Sequence, residues 1–117
     1  KGADSVASAA DNVKTAELTL ENSRTTVAIQ IDNYIKQIRQ IQSQIASLQA
    51  NVGLAQKSYN MTKDAYTHGS RDLLTLQTAA DSLLNARTDL ALQEYTLITK
   101  MLDLEYTLGV PFGSLGR

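Results

Sequence analysis

The sequence predicts an all-α protein, a long antiparallel two-helix coiled-coil hairpin. Helix 1 is expected over about residues 3–67 and helix 2 over about 71–108. Three observations carry this. One heptad frame holds without a slip from Ala3 to about Thr67. Five leucines, Leu76, Leu83, Leu90, Leu97 and Leu104, follow at an unbroken step of seven. Between the two runs, Tyr66-Thr67-His68-Gly69-Ser70-Arg71-Asp72-Leu73-Leu74 is the one place in the first hundred residues where the helical pattern stops and restarts.

The first element rests on two columns of residues. Val6, Val13, Leu20, Val27, Tyr34, Ile41, Leu48 and Ala55 form one. Ala3, Ala10, Glu17, Arg24, Ile31, Ile38, Ile45, Val52, Tyr59 and Tyr66 form the other, with Glu17 and Arg24 as its two exceptions. Alternating steps of three and four put both columns on one face of a helix, the pattern that packs laterally against another helix. At about 1.5 Å per residue this element spans on the order of 100 Å.

The break has its own chemistry. Gly69 suits the position just past a helix end, because without a Cβ it adopts the left-handed conformation freely. Ser70 reads as the N-cap of the next helix, its hydroxyl accepting from a free backbone N–H. Asp72 then falls in the first turn, at the positive end of the helix dipole. A tight turn between antiparallel helices follows.

In helix 2 the leucine column is flanked by Leu73, Ala80, Met101 and Leu108, with Arg87 and Glu94 interrupting. Leu84, Ala91 and Ile98 flank it on the other side, and Ala79 and Ala86 add an edge of small residues. A face this wide fits a helix that touches neighbours on two sides. Gly109 and Pro111 supply a stop signal, leaving residues 109–117 as a short tail. Helix 2 is shorter, on the order of 60 Å. Folded back, it reaches only the middle of helix 1, and the stripe Val6, Val13, Leu20 and Val27 is left without an intrachain partner. A stripe of that length calls for another chain or for more of this one. Val6, Val13, Leu20, Val27 and the five leucines are therefore the expected oligomer-packing residues. The isolated chain is expected to pair as a dimer in a four-helix bundle.

Composition narrows the function by exclusion. Net charge is −1, without the clustered Lys and Arg that phosphate binding requires. Cysteine is absent, which removes disulfides and thiolate metal sites. Aromatic content is only 5%, so packing must run through Leu, Ile, Val and Ala. No apolar run approaches the roughly 20 residues of a membrane helix. The opening Lys1-Gly2-Ala3-Asp4 has no apolar leader, and the chain reads as a fragment or a processed piece. His68 is the single histidine, and Asp64, four residues before it, is a possible carboxylate neighbour. The acidic residues are scattered rather than paired for acid/base work. Tyr34, Tyr59, Tyr66, Tyr95 and Tyr106 read as core-edge packing. No catalytic residue, cofactor site or metal site is expected, and no enzyme. The leucine column lacks a preceding basic region, which excludes a DNA-binding zipper.

The turn also carries a resemblance. Tyr66-Thr67-His68-Gly69-Ser70-Arg71, followed by Leu73-Leu74-x-Leu76 and Ala79, resembles the hairpin-tip signature of TolC-like outer membrane efflux proteins. Leu83, Asn85-Ala86-Arg87, Leu90, Ala91, Tyr95, Leu102 and Leu108-Gly109 resemble that family's returning helix and its Leu-Gly end. Helix 1 is similar to the long helix of its second repeat. The resemblance is specific between about Val52 and Gly109 and rests on length and periodicity before that. It implies one periplasmic hairpin of a trimeric channel-tunnel, whose β-barrel strands are absent from this chain. It also implies that the hairpin tip meets a periplasmic adaptor protein, and through it an inner-membrane pump. This segment itself would lie in the periplasm, outside the membrane. Tyr66, Gly69, Ser70, Arg71 and Asp72 would form the tip, with Tyr66 and Arg71 helping to close the entrance and Gly69-Ser70-Arg71 docking the adaptor. Thr75 and Thr78 stand where the family often carries acidic residues, so a carboxylate-lined constriction is not expected. Two alternatives are the coiled-coil hairpin of a periplasmic adaptor and a purely structural coiled coil. Transported substrate, pump and organism are not legible in the sequence.

Overall fold

The computed structural model describes residues 2–111 and 113–115. Its order is α1, Gly2–Thr67, then α2, Leu73–Leu108. The two helices are antiparallel arms of one hairpin measuring 99 × 21 × 16 Å. The 66-residue α1 runs unbroken and accounts for nearly all of the length.

The covered residues of α1 begin only at Ile31. From there Ile31, Tyr34, Ile38, Ile41, Ile45, Leu48, Val52, Ala55, Tyr59 and Thr62 alternate at three and four, all buried or half-buried. Before Ile31 the same frame faces nothing: Val6 is 70% exposed, Val13 57% and Leu20 53%. The second arm runs out there, as the length difference requires.

On α2 the leucine column lies on the face turned to α1. Leu83 and Leu104 are buried, and Leu76, Leu90 and Leu97 are half-buried. The sequence reading groups these five with packing between chains; in the structure all five are buried or half-buried within the one hairpin. The second column of the seam is Ala79, Ala86, Gln93 and Lys100, each half-buried. Two of these look like a small-residue edge in the sequence, yet small side chains are what allow two helix backbones to approach. The apolar flank Leu84, Ala91 and Ile98 is exposed instead. Polar residues bridge the seam: Arg87 donates to Gln56 Oε1 at 2.6 Å, and Gln93 donates to Gln44 Oε1. The single ion pair among the described residues, Lys36–Asp32 at 2.9 Å, is solvent-exposed and of little energetic weight.

The tail differs from a plain extension. Glu105, in the last turn of α2, is only 1% exposed. Its carboxylate accepts from the backbone N–H of Gly113 at 2.7 Å and of Leu115 at 3.0 Å. Lys1, Phe112, Gly116 and Arg117 lie outside the described residues.

Candidate functional site at the hairpin tip

The tip is built by two backbone devices in series. At the end of α1, Ser70 N–H donates to the Ala65 carbonyl at 2.8 Å and Gly69 N–H to the Tyr66 carbonyl at 3.0 Å. Crossed six-to-one and five-to-two bonds of this kind satisfy carbonyls that the helix end leaves free, and they require a left-handed residue between. Gly69 supplies it with φ +80°. A Cβ at Gly69 would meet nothing within 4 Å, so its requirement is conformational rather than steric.

The second device starts α2, and here the sequence reading is corrected. Asp72 is the N-cap, with extended backbone at φ −88°, ψ 171°. Its Oδ1 accepts from Thr75 N–H at 2.9 Å and from Thr75 Oγ1 at 2.6 Å. Ser70, expected as the cap, lies two residues earlier, where its own N–H is committed to closing α1. The chain then needs Arg71 to turn before a helix can begin. Helix 2 runs over Leu73–Leu108, in line with the expected span of about 71–108. The Thr75 hydroxyl and then its N–H hold the Asp72 carboxyl below its ordinary value, with a smaller Coulombic pull from Arg71. Thr75, one of the two threonines standing in for acidic residues, is thus part of the cap. Thr78 returns its hydroxyl to the Leu74 carbonyl at 3.0 Å.

These devices gather Tyr66, Gly69, Ser70, Arg71 and Asp72 at one extreme of the hairpin, all exposed. Gly69, Ser70, Arg71, Asp72 and Thr75 line a shallow open groove there. Arg71 also borders a second groove with Leu54, Lys57, Met61 and Ala65. No carboxylate among the described residues lies within 4 Å of the Arg71 guanidinium, whose fork is therefore available to another molecule. The same groove carries the exposed apolar side chains of Leu54 and Met61, and Leu73 and Leu74 at the start of α2 are exposed as well. His68 does not engage the Asp64 carboxylate; its Nδ1 lies 2.8 Å from the Asp64 backbone carbonyl, a local contact at the end of α1. Among the described residues there is no cluster of His, Cys, Asp or Glu able to hold a metal. The packing residues Val6, Val13, Leu20 and Val27 sit far along α1 and belong to no part of this site.

A long hairpin with an ordered tip, a half-covered long arm and a second arm exposing apolar flanks is not a self-contained globule. Its sequence places it in a family. Residues 3–110 match the outer membrane efflux protein family, and the chain belongs to it. No curated protein and no solved structure matches the chain. No described helix is long and apolar enough to cross a membrane.

Proposed function

We propose that this chain is a periplasmic tunnel segment of a trimeric outer-membrane efflux or secretion channel, and that its tip docks a periplasmic adaptor protein coupled to an inner-membrane pump. Its role is structural and conductive, with no catalysis. The observation that carries this reading is the tip itself. Among the described residues Arg71 has no carboxylate partner, and it stands at the end of a 99 Å hairpin, on a turn held by Gly69 and capped by Asp72. The family match supports it, and it does not favour an adaptor hairpin or a purely structural coiled coil.

The chemistry suits a gate. A guanidinium can grip a carboxylate or backbone carbonyls of an adjacent subunit in a bidentate way. One exposed pair is worth only about 0–1 kcal/mol, but three symmetric copies act together on one opening. Tyr66, on the last turn of α1, is exposed at the same end of the hairpin. In the assembled channel, Arg71→Ala is expected to raise single-channel conductance in a bilayer and to weaken adaptor binding. Hairpin helicity and melting temperature should be unchanged, because the side chain makes no hydrogen bond or ion pair among the described residues. Wild-type conductance together with wild-type adaptor affinity would reduce Arg71 to a solvated turn residue.

A further inference from the structure

Glu105 stands in a place that its own helix does not explain. It lies in the last turn of α2, where the negative end of the helix dipole disfavours a carboxylate. The helix stop does not need it either. Gly109, at φ +74°, closes α2 with the same crossed pair of bonds found at the tip: Val110 N–H to the Glu105 carbonyl and Gly109 N–H to the Tyr106 carbonyl, both 3.2 Å. Glutamate is almost never this deeply buried without partners, because its charge loses hydration. Here the partners are two backbone N–H groups from eight and ten residues downstream.

The segment that delivers them is built for the purpose. Pro111 fixes the chain as it leaves the helix, and its carbonyl accepts from Ser114 N–H at 3.2 Å and Ser114 Oγ at 2.6 Å. Gly113 takes φ +88°, which turns the chain so that alternate amides, those of Gly113 and Leu115, point at one carboxylate. A Cβ at Gly113 would meet nothing within 4 Å, so again the backbone angle is what matters.

We propose that Glu105 is a latch: its carboxylate holds Gly113, Ser114 and Leu115 against the end of α2 and thereby sets the direction the chain takes after the helix. The two bonds hold Gly113 and Leu115 against the last turn of α2 rather than leaving them free to swivel. Charge-assisted bonds to a buried carboxylate are stronger than neutral ones, and a glutamine at the same site cannot reproduce them. Its amide oxygen serves one N–H, and its NH2 group faces the other donor to donor.

Amide hydrogen exchange on the 117-residue chain tests this. Gly113 and Leu115 N–H are expected to be protected, and to exchange roughly tenfold faster or more in Glu105→Gln. Val110 N–H, which belongs to the helix stop, should be unaffected. A pair of spin labels at Leu115→Cys and Thr88→Cys should give one narrow distance distribution that broadens when Glu105→Gln is added. Glu105→Asp, one methylene too short to reach, should behave like Glu105→Gln. Unprotected amides in the wild type, or protection and distances unchanged in both variants, would overturn the proposal.

Discussion

At the scale of single residues the tip is shaped by Gly69 and Asp72, each for a different physical reason. Gly69→Val should destabilise the hairpin by about 1–3 kcal/mol, because a β-branched residue resists positive φ even where there is room for it. Thermal unfolding checks this, and an unchanged midpoint would show that the left-handed turn is not required. Asp72 adds a pH dependence whose sign follows from its lowered pKa. A carboxyl that ionises more readily when folded contributes stability above the unfolded value of about 3.9, and loses it as pH falls through the lower folded value. Asp72→Asn keeps a competent cap but cannot titrate. The melting advantage of wild type over Asp72→Asn should therefore be present at neutral pH and shrink below about pH 4. A pH-independent gap would place the Asp72 contribution elsewhere. Ser70 and Asp72 are both good caps, and the sequence does not separate them. The choice depends on which N–H the end of α1 has already taken, a fact of three dimensions.

At the scale of elements, the seam is readable on α1 and only partly on α2. The α1 frame is legible because Ile31, Ile38, Ile41 and Ile45 repeat without competition from other apolar columns. On α2 too many columns are apolar. The one that completes the seam, Ala79, Ala86, Gln93 and Lys100, is among the least hydrophobic. Periodicity marks the leucine column but not which of its flanks turns to the partner. The Glu105 contacts are illegible for a related reason: nothing in Pro111 to Leu115 announces an acceptor several residues upstream. The register makes a sharp comparison possible. Leu83 is 6% exposed and Leu84 is 62% exposed. Leu83→Ala should cost roughly 2–5 kcal/mol, the usual range for emptying a packed leucine site. Leu84→Ala should cost less than about 1 kcal/mol in the isolated chain. Equal losses in denaturant titrations would mean that α2 is rotated about its axis relative to the seam described here.

At the scale of the whole molecule, the hairpin is an incomplete surface with one finished end. Its tip is closed by satisfied backbone bonds, whereas the first thirty residues of α1 and the outer flank of α2 expose Val6, Val13, Leu20, Leu84, Tyr95 and Ile98. Apolar stripes of this kind are what neighbours in a helical wall would cover, and the polar tip is what such a wall would present at its opening. The proposal therefore assigns opposite roles to the two ends of a 99 Å body. Because the chain contains no cysteine, each end can be given a single reactive site. The most direct test is cross-linking in cells that hold the assembled channel and its adaptor, comparing Ser70→Cys at the tip with Thr15→Cys on the distal half of α1. A short thiol-reactive cross-linker should join Ser70→Cys to the adaptor and leave Thr15→Cys free of it. An adaptor adduct from Thr15→Cys and none from Ser70→Cys would contradict the assignment of the tip as the docking end.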